Sequence, residues 1–203
     1  MVSIGAEVKN VAFGFLTMVT QTISKVSEED LSKAVNILKE HHGSKILLIG
    51  MGRSGFVAKA FALRLLHLGF DVYVLGDTLV PSIGQKDLVI AISGSGTTRL
   101  ILVAAEAAKN VGATVIAFTS FPDSPLAKLA DCVIEVKGRI IGEDEGRRDY
   151  FARQILGLHE PLAPLGTLFE DSCMVLLDAL ISVMIKELNI TEEEMGKRHA
   201  NIE

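Results

Sequence analysis

Asp87-Leu88-Val89-Ile90-Ala91-Ile92-Ser93-Gly94-Ser95-Gly96-Thr97-Thr98 passes directly from an apolar run into a turn rich in hydroxyls and glycine, and the helical stretch Arg99–Asn110 follows at once. A buried strand, a short turn and a helix start in that order predict an α/β chain on a parallel sheet. The turn is also suited to an anion. A helix start leaves backbone N–H groups without intrahelical partners and carries partial positive charge. Ser93, Ser95, Thr97 and Thr98 add hydroxyl donors, and Gly94 and Gly96 let the backbone approach a ligand closely. An ordinary N-cap needs one such hydroxyl, so four point to a phosphate cradle.

The flanking sequence repeats the alternation. Short apolar runs predict strands near Lys45–Ile49, Val72–Leu75, Leu88–Ile92, Thr114–Phe118 and Cys132–Val136, with helices beginning near Gly55, Arg99 and Ser124. Strand, helix, strand implies right-handed crossovers and a parallel sheet. Ahead of it, Val8, Val11, Ala12, Phe15, Leu16, Val19 and Ile23 recur at helical spacing within Glu7–Ile23. Ser27 with Asp30 resembles a capping box opening a second helix that ends near His42-Gly43. The glycine-punctuated, polar segment Lys137–Tyr150 reads as a long loop, and Pro161, Pro164 and Gly166 make His159–Gly166 a shaped one. Thr167 then opens a long apolar helix to about Leu188.

Composition narrows the function. The 203 residues suit one domain, read as N-terminal helices (1–43), a sheet core with the phosphate loops (44–137) and an active-site loop with C-terminal helices (138–203). A net charge of −5 and a pI near 5.6 argue against a nucleic-acid surface, since Gly146-Arg147-Arg148 is the nearest thing to a basic patch. The hydrophobic fraction of 49% and mean hydropathy of +0.38 fit a doubly covered sheet and apolar helices buried between subunits, so an oligomer is expected. No membrane span is expected, because the apolar stretch Cys173–Ile185 is interrupted by Asp178 and falls short of the ~20 residues required. Met1–Gly5 has no secretory pattern, which predicts a cytoplasmic protein. Cys132 and Cys173 lack metal-type spacing and sit among apolar residues, so no metal is expected.

After the first strand, Gly50-Met51-Gly52-Arg53-Ser54-Gly55 has the spacing G-x-G-x-x-G, and Asp77 stands about 22 residues beyond, as in a dinucleotide fingerprint. In open α/β sheets, however, ligands sit outside the carboxyl ends of neighbouring strands, so this loop and Ser93–Thr98 face one crevice. Two hydroxyl-bearing loops there suit a small phosphorylated ligand, with Ser54 as a further donor.

Glu170 is the candidate base. The positions three, four and seven residues beyond it are Cys173, Met174 and Leu177, whereas Asp171 shares a face with Asp178. A carboxylate on an apolar stripe gains basicity from desolvation. The competing reading is structural, since Thr167-Leu168-Phe169-Glu170 is also a capping-box pattern. Among the histidines, His67 lies in an apolar stretch, while His159 and His199 occupy polar or terminal segments compatible with proton transfer.

These residues resemble the sugar isomerase (SIS) domain and, over nearly the full length, the 6-phospho-3-hexuloisomerase family. The resemblance rests on Gly50–Gly69, Ile92–Thr98, the run His-Glu-Pro-Leu-Ala-Pro-Leu-Gly-Thr-Leu-Phe-Glu at His159–Glu170, and Arg198-His199-Ala200-Asn201. It implies a flavodoxin-like three-layer α/β sandwich around a five-stranded parallel sheet, with extra N- and C-terminal helices. The implied reaction interconverts D-arabino-hex-3-ulose 6-phosphate and D-fructose 6-phosphate through an enediolate, without a cofactor, in the ribulose monophosphate pathway. The implied substrate site comprises Gly52, Arg53, Ser54, Ser93, Gly94, Ser95, Gly96, Thr97 and Thr98. Glu170 is implied as proton acceptor and His199 as its assistant, from a neighbouring subunit of a homotetramer. Functional pairing with 3-hexulose-6-phosphate synthase is implied as well. Thr97 stands where many SIS loops carry glutamate. Two rivals keep the cradle: an aldose–ketose sugar-phosphate isomerase acting at C1, and a non-catalytic sugar-phosphate sensor that needs no base.

Overall fold

The computed structural model of the chain describes residues 3–138 and 166–199. In chain order these form α1 (Ile4–Ile23), α2 (Glu28–Glu40), β1 (Lys45–Gly50), α3 (Arg53–His67), β2 (Asp71–Val74), β3 (Leu88–Ile92), α4 (Arg99–Asn110), β4 (Thr114–Thr119), α5 (Pro125–Leu129), β5 (Cys132–Glu135), α6 (Thr167–Glu187) and α7 (Glu192–Arg198). The five strands pair in parallel in the order β2-β1-β3-β4-β5. From β1 the chain moves to one side for β2 and then crosses to the other for β3. The switch point of the topology therefore lies between β1 and β3, where Gly50 is in register with Ile92.

Alternation along the central strands divides the core into two layers. Leu88, Ile90 and Ile92 of β3 pack with Ile46 and Leu48 of β1 and with residues of α2, α3 and α6. Val89 and Ala91 turn to the opposite face, where they meet Leu47, Ile49 and the apolar side of α4 and α5. All five residues of β3 are buried, which explains an uninterrupted apolar run where a half-exposed strand would alternate. At about 1.5–3 kcal/mol for each large side chain fully buried, this strand is among the strongest local contributors to the fold. Helix α1 packs on α6 through Val19 and Leu168, with Phe15 and Met18 beside them.

The expected elements are present with shifted ends. Helix α1 starts at Ile4 rather than Glu7, because the Ser3 hydroxyl caps it by accepting from the Ala6 N–H at 3.2 Å. Helix α3 starts at Arg53, two residues before the expected Gly55. Gly55 is thereby drawn into the first turn against Gly50, and a Cβ at Gly50 would lie 2.6 Å from the Ser54 carbonyl oxygen. Most of the polar loop predicted at 137–150, and residues 159–165, lie outside the described residues. Among the described helices none is long and apolar enough to cross a membrane.

Candidate active site

Both phosphate-type loops leave the sheet at the switch point. The Ser93–Thr98 turn is held from below by its own carbonyls. Ser93 O accepts from the Gly96 N–H at 3.0 Å, Gly94 O from the Ser120 N–H at 3.0 Å, and Gly96 O from the Leu126 N–H at 3.1 Å. With those carbonyls engaged toward the protein, the negative ends of the peptide dipoles point away from the crevice. Thr98 is the N-cap of α4, yet no side-chain hydrogen bond caps this helix start. A cap would have filled the position an anion wants.

The hydroxyls are not equivalent. Ser54, Ser93 and Ser95 are buried, Thr98 is half-buried and Thr97 is exposed. Ser93 Oγ donates to Thr98 Oγ1 at 3.3 Å, and Ser95 Oγ accepts from the Thr97 N–H at 3.2 Å, which leaves the Ser95 proton available to a ligand. The glycines have separate tasks. Gly96 is left-handed at φ +61°, and a Cβ there would sit 2.1 Å from Ser124 Oγ, so loop and β4–α5 connection interlock at that point. Gly94 faces the ring of Phe169, 3.1 Å from where a Cβ would stand. Gly52, also left-handed at φ +57°, turns the β1–α3 loop into Arg53 and Ser54.

Phe169 and Glu170 are in the first turn of α6, so the contact of Phe169 with Gly94 brings the candidate base to the phosphate loop. Glu170 is only 9% exposed. Its Oε2 accepts from Arg53 Nε at 2.9 Å, while Arg53 Nη2 donates to Asp171 Oδ1 at 3.1 Å. Burial pushes the Glu170 carboxyl above the usual carboxylate range; Arg53 opposes that shift, the Asp171 charge reinforces it, and the Ser54 hydroxyl again opposes it. The capping-box reading of Thr167–Glu170 is not what forms. Gly166 is the N-cap without a side-chain bond, and the Glu170 carboxylate is turned to Arg53 instead. A true capping box occurs at Thr191 and Glu194, opening α7.

His199 lies elsewhere in this chain. Its ring is 5.1 Å from that of His67, and the neighbouring Arg198 donates through Nη1 to the His67 carbonyl at 3.2 Å. His67 ends the helix that Arg53 begins, so the two histidines stand roughly 20 Å along the α3 axis from the Arg53–Glu170 pair, at 1.5 Å per residue. Asp77, the acid expected of a dinucleotide site, pairs with Lys59 at 3.5 Å. No cluster of metal-ligating side chains occurs among the described residues. What residue spacing had not singled out is Asp171 as a second partner of Arg53, and Thr119, Ser120 and Ser124 as the shelf beneath the cradle. A hydroxyl-rich stretch after the fourth strand was the available signal for the shelf.

Comparison with known proteins agrees with this geometry. The SIS domain pattern matches residues 38–141, which hold both phosphate-type loops. A protein of Aeropyrum pernix, called uncharacterized, is 54% identical over 186 residues, covering 89% of this chain and 87% of its own. The 3-hexulose-6-phosphate isomerase of Mycobacterium gastri is 35% identical over 185 residues, covering 91% of this chain and 86% of its own. A crystal structure from Methanococcus jannaschii, from which a molecular function of 3-hexulose-6-phosphate isomerase was inferred, superposes with a TM-score of 0.72. It is 32% identical and covers 97% of this chain and 99% of its own. A five-stranded parallel sheet with its cradle at the β1/β3 switch point, matched over this length, places the chain in the SIS-domain family, grouped with 3-hexulose-6-phosphate isomerases.

Proposed function

We propose that the protein interconverts D-arabino-hex-3-ulose 6-phosphate and D-fructose 6-phosphate, with Glu170 carrying the proton. The observation that carries this reading is the position of Glu170: a buried carboxylate, raised in basicity by that burial, at the rim of a loop built for an anion. Moving a ketone between C3 and C2 requires a proton to leave one carbon and return to its neighbour through an enediolate. One carboxylate on one face of the substrate performs both transfers. Ser54, Ser93, Ser95 and Thr98, with backbone N–H groups at the start of α4, hold the phosphate. That grip, remote from the reacting carbons, supplies orientation.

His199 then serves a neighbouring copy's substrate rather than its own, given its distance from Glu170. Large apolar side chains exposed on α1 and α3, including Val8, Leu16, Phe56, Leu63 and Leu66, favour the homotetramer such sharing requires. In this reading the protein works without a cofactor in the cytoplasm, in the ribulose monophosphate pathway, beside a 3-hexulose-6-phosphate synthase that supplies its substrate.

Proton NMR of fructose 6-phosphate incubated with the protein in D2O tests the proposal. Exchange at C3 with a 3-ketose product is expected. Exchange at C1 with an aldose product would assign an aldose–ketose isomerase instead, and binding without any exchange would leave a sugar-phosphate sensor.

A further inference from the structure

The guanidinium of Arg53 is divided between two carboxylates that are adjacent in sequence. In a side-on arginine–carboxylate pair, Nε and one Nη bind the two oxygens of a single carboxylate as parallel bonds. Here Nε goes to Glu170 Oε2 at 2.9 Å and Nη2 goes to Asp171 Oδ1 at 3.1 Å. Arg53 therefore claims one oxygen of Glu170 and not both. We infer that Asp171 is a positioning residue: it takes the second arm of the Arg53 fork and so keeps the Glu170 carboxylate available as a base. The inference rests on the reading of Glu170 as proton carrier.

The physical case has two parts. A bidentate guanidinium would tie both carboxylate oxygens and hold the anion in its least basic form, which defeats a proton acceptor. Removing Arg53 altogether would take its positive charge away from a sugar phosphate and an enediolate. Splitting the fork resolves the conflict, because the cation remains in the site while its hold on the base is single. Exposure is consistent with that division. The Asp171 side chain is 43% exposed and that of Glu170 11%, so the arm on Asp171 is the one solvent and substrate reach most easily.

A double-mutant cycle on the full chain tests this. Asp171→Ala lets the fork close on Glu170 and lowers kcat roughly tenfold, the scale of one charge-assisted hydrogen bond redirected. Asp171→Asn, whose amide oxygen still accepts from Nη2, stays within about threefold of the parent. In an Arg53→Ala background Asp171→Ala changes kcat less than about twofold, since no fork remains to divide. Equal losses in both backgrounds, or an Asn variant as impaired as the Ala variant, would overturn the inference in favour of a structural role for Asp171. A crystal structure of the Asp171→Ala protein gives a readout independent of turnover. Nε and Nη2 both on Glu170 is the expected result, and an unmoved fork refutes the inference. If the fork closes as expected while the parent protein turns over no hexulose phosphate, the functional reading fails and the geometric one stands.

Discussion

Arg53 Nε donates to Glu170 Oε2 at 2.9 Å, joining the first residue of the helix after β1 to the first turn of a helix that begins more than a hundred residues later. The bond places a carboxylate from the C-terminal part of the chain at the β1/β3 switch point, beside the loops that follow those two strands.

Glu170→Gln is expected to reduce kcat by about two to four orders of magnitude, the usual weight of a general base, while fructose 6-phosphate binding stays near that of the parent. The variant should still fold, because the carboxylate does not cap α6. Isomerisation rates and calorimetric binding check both halves.

The raised Glu170 basicity has a sign in both activity and stability. As the proposed base, Glu170 acts in its ionised form, so kcat/KM should rise with pH through a limb above the ordinary glutamate range. A glutamate whose folded value is raised binds more protons folded than unfolded, so its contribution to stability declines as pH rises from the unfolded to the raised folded value. Melting of Glu170→Gln against the parent across that interval should therefore favour the variant increasingly toward neutral pH.

Ser95→Ala removes a buried hydroxyl of the cradle whose oxygen already accepts the Thr97 N–H. If Ser95 grips the phosphate as proposed, KM should rise about tenfold, as for one hydrogen bond to a charged group, and kcat should change less. Steady-state kinetics separate the two.

Gly96→Ala would force an L side chain to φ +61° with its Cβ 2.1 Å from Ser124 Oγ. Strain and overlap together should cost about 2–4 kcal/mol. For a chain of this size the melting temperature should fall by roughly 5–15 °C, measurable by calorimetry.

Asp131 offers an electrostatic test remote from the site. Burial alone would raise its carboxyl, but Lys109 at 2.7 Å and the Val115 N–H at 2.8 Å outweigh it and hold the carboxyl below the usual range. A lowered folded value stabilises above the unfolded value and is lost as pH falls through the folded one. Asp131→Asn should accordingly melt below the parent at neutral pH, with the gap closing in acid.

The sheet was legible because β1, β3 and β4 are buried on both faces and leave near-continuous apolar runs in the sequence. Helix starts were less so. Arg53 begins α3 because Gly52 supplies a left-handed turn, which spacing alone does not fix. The hydroxyl-rich turn was plain in the sequence, and the burial of Glu170 could be read from its place on an apolar stripe. Its capping alternative could be rejected only when Arg53 was seen to hold the carboxylate. Asp171 was unreadable in principle, since heptad position sends it toward Asp178 and only the long reach of Arg53 brings it into the site. The separation of His199 from Glu170 likewise depends on α3 running the full depth of the sheet.

The SIS pattern ends at residue 141, and Glu170 lies beyond it. On the proposed function, grip and chemistry occupy different parts of the chain: the α/β layer holding the Ser93–Thr98 turn would recognise the phosphate, and the helix that follows it would bring the reacting group. A scaffold so divided could exchange its reaction by altering the later helix, or lose catalysis and keep recognition, without rebuilding the Ser93–Thr98 turn.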